Sequence, residues 1–263
     1  MADGLQGRTI VIIGGTSGIG LSASAAVLAA GGNLVAIGRD DDHLVEARKR
    51  LGDRAIVHFG DAANSDTAVT AIDTAISRFG AFDGLYHVAG GSARKAGDGP
   101  LHELTDAGID AALDLNLKSL IYSNRAAVRA FLDRKTGGSI VNVSSVLAGS
   151  PSKFYFATAG YAAAKAAVIG LTKSSAAYYA GDNIRINVVA PGLVETPMAQ
   201  RAAGDESIMR FIRTKQPLDG GRIGKPSDLD GLVVYLLSDA SRFVTGQVIA
   251  VDGGWSVTEG QRP

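Results

Sequence analysis

The sequence contains no cysteine. Disulfide frameworks, thiolate nucleophiles and zinc–cysteine sites are thereby excluded. Neither sign of charge is in excess, since 26 Lys and Arg balance 26 Asp and Glu. Composition thus offers no electrostatic case for nucleic acid or for an anionic membrane surface as partner. No apolar run reaches the roughly 18 residues of a membrane-spanning helix, and Met1-Ala-Asp-Gly-Leu-Gln-Gly7 lacks the apolar stretch of a secretion signal. A soluble, cytoplasmic protein without a metal site is expected. Aromatic residues are sparse, at 6%, but 46% of the 263 residues are hydrophobic, ample for a core. Glycine is abundant, 34 residues without a collagen-like period, which points to many tight turns.

Strand-like and helix-like segments alternate along the chain. Thr9-Ile-Val-Ile-Ile13 is an apolar, β-branched run. Gly14-Gly-Thr-Ser-Gly-Ile-Gly20 follows at once, and the residues from Leu21 to Ala30 read as a helix ended by Gly31-Gly32. Strand, glycine loop and helix open a dinucleotide-binding unit: glycines let the backbone approach a pyrophosphate, whose charge the helix N-terminus meets. The second strand, Asn33 to Ile37, ends in Gly38-Arg39-Asp40 before a helix from Asp42 to Leu51. A carboxylate at this strand end would grip a ribose 2′-hydroxyl, whereas an arginine accommodates a 2′-phosphate. Gly38 supplies no carboxylate and Arg39 supplies a planar fork of donors, so NADP(H) is expected ahead of NAD(H). Ser17 adds a hydroxyl.

Ala55 to Phe59 reads as strand three, ending at Gly60-Asp61, with Asp61 either at the rim of an adenine site or an ordinary turn residue. Ser65-Asp66 reads as the cap of a helix to Arg78. Strand four lies within Asp83 to Gly91 and ends in Ala89-Gly90; the segment to Pro100, with Arg94 and Lys95, reads as loop. A long helical stretch to about Asp133 is interrupted near Asn116, whose side chain competes for backbone hydrogen bonds. Strand six, Ile184 to Ala190, is stopped by Pro191-Gly192. Residues 193–222 form an irregular substrate loop or lid with a helix around Glu206 to Lys215. Its Arg201, Arg210, Arg213 and Lys215 read as solvating that helix, the alternative being contact with an anionic substrate. A helix from Ser227 to Leu237 and a last strand, Gln247 to Val251, complete one doubly wound, Rossmann-type α/β domain over residues 1–263, with about seven parallel strands and helices on both faces.

The chemistry is concentrated between Ser139 and Lys165. Ser139-Ile-Val-Asn-Val143 is a buried parallel strand by pattern, Ser144 and Ser145 sit at its end, and Gly160-Tyr161-Ala-Ala-Ala-Lys165 opens a helix to about Tyr179. Tyr161 and Lys165 are one helical turn apart and share a face. A phenol has a pKa of about 10; an ammonium about 5 Å away at an effective dielectric of about 20 contributes roughly 3 kcal/mol, or about 2 pKa units downward. That shift would suit proton exchange with a carbonyl or alcohol. With 7 Tyr and 9 Lys, chance alone gives the spacing about 0.24 times, so the motif decides nothing by itself.

In combination the motifs decide more. Gly14-x-x-x-Gly18-Ile-Gly20, Asn116, Ser145, Tyr161-x-x-x-Lys165, Pro191-Gly192 and Gly246-Gln with Asp252-Gly-Gly254 occur in order. The whole chain resembles a short-chain dehydrogenase/reductase. The resemblance implies an NAD(P)-dependent carbonyl/alcohol oxidoreductase with Tyr161 as acid/base, Lys165 tuning it and holding the nicotinamide ribose, Ser145 orienting the substrate oxygen, and Asn116 helping a water relay. It implies cofactor contacts at Gly14, Thr16, Ser17, Gly18, Ile19, Gly20, Arg39, Asp61, Ala62, Ala89, Gly90, Tyr161, Lys165, Pro191, Gly192, Val194 and Thr196. It further implies a homotetramer or homodimer. Ile13 and His87 depart from the family pattern, which usually has Thr and Asn there; His87 reads as a satisfied structural histidine. The longer interval before Tyr161 carries Phe154-Tyr155-Phe156, a candidate pocket wall. Competing readings are an NAD(H)-preferring alcohol dehydrogenase of the family, a non-catalytic nucleotide-binding regulator, and a sugar-nucleotide epimerase.

Overall fold

The computed structural model describes residues 4–260; the first three residues of the N-terminal stretch considered above, and 261–263, lie outside the described residues. Seven strands form one sheet among these residues: β1 (Thr9–Ile13), β2 (Asn33–Gly38), β3 (Ala55–Phe59), β4 (Gly84–His87), β5 (Gly138–Val143), β6 (Ile184–Pro191) and β7 (Val248–Val251). All pairings are parallel, in the order β3-β2-β1-β4-β5-β6-β7. The helices are α1 (Gly18–Ala29), α2 (Asp41–Leu51), α3 (Ser65–Phe79), α4 (Asp106–Leu113), α5 (Ser119–Arg134), α6 (Ala159–Tyr179), α7 (Gln200–Ala203), α8 (Glu206–Lys215) and α9 (Asp230–Leu237).

The apolar runs are continuous because both faces of the sheet are covered. In β1, Ile10 and Ile12 pack with residues of α1, α2 and α9. Val11 and Ile13 point the other way, toward α3 and α5. Polar Asn142 survives in buried β5 because its amide exchanges hydrogen bonds with Asn124 on α5 and donates to Thr172 on α6. The interruption near Asn116 is a π-helical turn, Asp114–Lys118, joining α4 to α5. The cap of α3 differs from expectation. Asn64, not Ser65-Asp66, accepts from the Asp66 N–H at 2.9 Å, and Ser65 and Asp66 are first-turn residues. The helix anticipated from Ser227 starts as a short 3-10 turn, Pro226–Asp228, before α9.

Among the described residues no helix is long and apolar enough to cross a membrane. Chain order reverses between β1 and β4, where successive crossovers leave in opposite directions. Loops at the carboxyl ends of these strands diverge there and leave a cleft, the usual ligand position in such sheets.

Candidate active site

A cleft of about 550 Å³ lies at this switch point. Every residue singled out above for catalysis or cofactor binding lines it, from Gly14, Thr16, Ser17, Gly18, Ile19 and Gly20 to Val194 and Thr196. On its β1 side the backbone forms a close-packed glycine cradle in which side chains would run into neighbouring backbone. Gly14 has φ of +91°, and a Cβ there would lie 2.6 Å from the Ala89 nitrogen; one at Gly20 would lie 1.8 Å from the Gly14 carbonyl oxygen. Ser17, at the N-cap of α1, makes no side-chain cap, and the first turn of α1 carries no acidic residue. Its N–H groups and positive dipole end thus remain available to a phosphate. The donor set fits a dinucleotide pyrophosphate.

Position 38 excludes the carboxylate that a ribose diol would use. A Cβ at Gly38 would meet Thr16 Oγ1 at 1.9 Å. Arg39 lines the cleft with its side chain 61% exposed, and its nearest acid, Asp61, is 4.0 Å away. Asp40 is turned to the N-cap of α2, where it accepts from the His43 N–H at 3.0 Å.

On the β5 side, Ser144 and Lys165 tie strand to helix. The Ser144 hydroxyl donates to the Lys165 carbonyl at 2.7 Å, and Lys165 Nζ donates to the Val143 carbonyl at 2.9 Å. Lys165 is buried, and burial brings its pKa down to about 8. Its Nζ is 5.7 Å from the centroid of the Tyr161 ring. Burial pushes the Tyr161 phenol up, and a hydrogen bond with the Ser145 hydroxyl draws it part of the way back. The expectation of a phenol lowered by the ammonium is therefore corrected. The separation is close to that assumed, but the assumption left out the cost of enclosing a phenolate in protein.

Asn116 is fully buried in the π turn. Its amide donates to the Gly91 and Ala112 carbonyls and its oxygen accepts from the Gly91 N–H. Gly90 lies between it and the lysine: a Cβ there would be 2.8 Å from Asn116 Oδ1 and 3.3 Å from Lys165 Nζ. Tyr161, Ser145, Lys165 and Asn116 therefore converge on one end of the cleft, with the glycine cradle at the other.

Residues 14–256 match the family model described as enoyl-(acyl carrier protein) reductase. The chain belongs to the short-chain dehydrogenase/reductase family. Its relatives include cis-4-hydroxycyclohexanecarboxylate dehydrogenase of Sinomonas cyclohexanicum, 35% identical over 97% of this chain and 99% of that protein. A 3-oxoacyl-[acyl-carrier-protein] reductase of Thermotoga maritima is 34% identical over 95% and 98%. Among solved structures, a short-chain type dehydrogenase/reductase from Mycobacterium ulcerans superposes with a TM-score of 0.89 at 31% identity, covering 99% of this chain and 93% of that one. Levodione reductase gives 0.86 at 26% identity, covering 96% and 98%. As a member of this family the chain is an NAD(P)-dependent oxidoreductase.

Against the family pattern, His87 is only half satisfied. Its Nδ1 pairs with Ser123 Oγ at 2.9 Å, whereas Nε2 is buried without a hydrogen-bond partner among the described residues. Burial, with help from the nearby Lys165 charge, pushes its pKa down to about 3, so it is a neutral imidazole at ordinary pH. The aromatic segment also divides. Phe156 lines the cleft and packs edge-on against Trp255, while the Tyr155 ring packs on Phe211 of α8. Lys215, read from sequence as a solvated lid residue, is instead buried, donating to the Thr258 carbonyl beside the Trp255 ring.

Two parts of the site were invisible in sequence. Trp255 walls the cleft although it lies near the end of the chain, held by a 2.9 Å hydrogen bond from its indole to the Ser150 carbonyl. Asp98 is the other. Thr158, at the N-cap of α6, makes no side-chain cap. Asp98, buried in the loop after β4, accepts from the Gly160 and Tyr161 N–H groups at 2.9 and 3.0 Å. It thereby fixes the first turn of the helix that carries Tyr161. An Asp98→Ala change removes a cap worth about 0.5–2 kcal/mol and loosens the helix start, so kcat is expected to fall about 10- to 100-fold with NADPH affinity nearly kept. Asp98→Asn retains an acceptor and recovers part of the loss. An unchanged kcat in the Ala variant, assayed where it is folded, contradicts this positioning role.

Proposed function

We propose that this chain is an NADP(H)-dependent oxidoreductase that interconverts a ketone or 3-oxoacyl carbonyl and a secondary alcohol, with Tyr161 as general acid/base. The observation that carries this reading is the convergence of Tyr161, Ser145 and Lys165 with the glycine cradle in one cleft. The relatives' named activities, dehydrogenation of a hydroxycyclohexanecarboxylate and reduction of a 3-oxoacyl group, support the reaction class. When bound in the cradle, NADPH supplies the hydride that the carbonyl carbon takes up.

The chain's own residues manage the proton. The Ser145 hydroxyl, already on the phenol, is placed to hold the carbonyl oxygen beside it. A raised phenol pKa keeps Tyr161 protonated, the form needed to donate its O–H proton to the developing alkoxide. Lys165 would stabilise the phenolate left behind and would hold the nicotinamide ribose of a bound cofactor. Asn116, next to Gly90 and near Lys165, holds the π turn that would support a water relay. Residues 193–222 act as the substrate loop: Met198, Arg201 and Ala202 line the cleft, and α8 packs Ile208, Phe211 and Ile212 around Trp255.

The preference for NADP(H) rests on Arg39 and on the space denied to a side chain at Gly38. A charge-assisted contact to a 2′-phosphate is worth about 1.5–3 kcal/mol, or roughly 10- to 150-fold in affinity. Arg39→Ala is expected to weaken NADPH binding by about that factor and to leave NADH binding almost unchanged. Titration of both cofactors, followed by a panel of carbonyl compounds, tests this reading. Equal dissociation constants for NADPH and NADH in the unmutated chain would make Arg39 a surface charge only.

A further inference from the structure

Two arginines line the cleft, and neither makes an ion pair with a carboxylate among the described residues. Arg94 comes from the loop after β4, and Arg201 from α7, beyond β6. These strands flank β5, whose end leads into Ser145 and Tyr161, so the two guanidinium groups approach the catalytic region from opposite sides. Both line the cleft. Each donates through Nη2 to one and the same acceptor, the Tyr155 carbonyl oxygen, at 3.1 and 3.2 Å. Neither has an acidic oxygen within 4.0 Å among the described residues. The nearest candidate, Asp98, has both oxygens committed to the N–H groups of Gly160 and Tyr161.

This arrangement carries a like-charge repulsion that an anion would relieve, moderated by the exposure of Arg201 to solvent. Two like charges converge on one neutral oxygen, and Arg94 is partly buried. Burial, then the Arg201 charge, lowers its pKa, and the Asp98 charge offsets part of that. Tyr155 presents its carbonyl from a left-handed backbone, φ +65°, which a tyrosine adopts only under constraint. A structural tie would need one arginine, not two. Each guanidinium retains further N–H donors in a planar fork suited to a carboxylate or sulfonate. Phe156, Trp255 and Leu147 give the same cleft an apolar wall.

We propose that Arg94 and Arg201 clamp an oxyanion on the substrate, so that the compound turned over at Tyr161 is a small organic acid, its carboxylate or sulfonate separated from the reacting carbonyl by an apolar spacer. Arg94, Arg201 and the apolar wall then set specificity, while the proton chemistry stays with Tyr161. The inference rests on the carbonyl–alcohol reading above for the identity of the reacting group, but not for the existence of the anion site.

The experiment separates the two. Initial rates with NADPH are measured for cyclic and open-chain oxoacids, each paired with its neutral methyl ester, and for oxosulfonates of matching length. The acid is expected to exceed its ester in kcat/KM by about 10- to 100-fold, chiefly through KM. Arg94→Gln and Arg201→Gln keep a donor for the Tyr155 carbonyl and collapse that ratio; preserved NADPH affinity shows that these variants are folded. The sulfonate arm tells which oxyanion is preferred. In parallel, calorimetry follows benzoate and benzenesulfonate binding to the unmutated chain saturated with NADP⁺. Binding that is lost in Arg94→Gln, with no carbonyl compound reduced, would uphold the clamp and overturn the proposed reaction. Esters reduced as well as acids, with a ratio indifferent to both substitutions, would overturn the clamp and leave the reaction standing.

Discussion

Replacing Tyr161 with Phe is expected to cut turnover by about 10²- to 10⁴-fold, the range that a positioned acid/base contributes, while NADPH binds nearly as before. The ring keeps its place on α6, whose first turn Asp98 holds through backbone N–H groups that the substitution does not touch. What disappears is the O–H, and with it both the proton donor and the partner of Ser145. Because burial holds the phenol up, the lost group is a neutral donor, and the deficit should appear in kcat and kcat/KM together. A Phe variant that retains normal rates would remove Tyr161 from the mechanism and leave the cleft a binding site.

Lys165→Met is expected to abolish measurable turnover and to alter the pH dependence of stability in a defined direction. In the folded chain Lys165 titrates at about 8, below the ordinary lysine value of 10.5. Below pH 8 the group is charged whether folded or unfolded, and the fold bears the whole cost of burying the ammonium. Between pH 8 and 10.5 the unfolded chain binds the extra proton, so stability attributable to this group rises with pH across that window. Over the full window the gain is about 3 kcal/mol. Methionine carries no such proton. The Met variant should therefore compare best with the parent at pH 7 and lose ground toward pH 10. Thermal unfolding of both proteins at the two pH values measures this. A stability difference independent of pH would show that Lys165 is not held below its ordinary value.

The central strands were legible because they are apolar, β-branched runs covered on both faces, as with Thr9–Ile13 and Ile184–Pro191, and the edge strand Ala55–Phe59 was legible from its β-branched run although its end is exposed. The glycine loop was legible because its close packing admits no side chain: a Cβ at Gly14 would run into Ala89, and one at Gly20 into the Gly14 carbonyl. Tyr161 and Lys165 sit four apart on one helix, a relation that sequence states directly. Other features depended on distances through space. Asp98 caps α6 from 62 residues away, and nothing local to Thr158 announces that its own side chain leaves the helix uncapped. Trp255 and Ser150 are 105 residues apart. Sequence spacing points the Tyr161 pKa the wrong way because it gives a charge–charge distance but not the desolvation around it. Lys215 and Arg201 looked alike on a polar lid. Packing buries the first against Trp255 and leaves the second in the cleft, a distinction that composition does not carry.

On the proposed function, hydride moves in this cleft from the cofactor to a carbonyl carbon while Tyr161 supplies the proton. The most direct test uses NADPH deuterated at the transferable position of the nicotinamide ring, incubated with the oxoacid and ester panel, with products read by mass spectrometry and NMR. The account predicts one deuterium on the carbinol carbon of the alcohol formed by the unmutated chain, and almost no labelled alcohol from Tyr161→Phe despite bound cofactor. Tight NADPH binding with no deuterium transferred to any carbonyl compound, or equal transfer by the Phe variant, would contradict it.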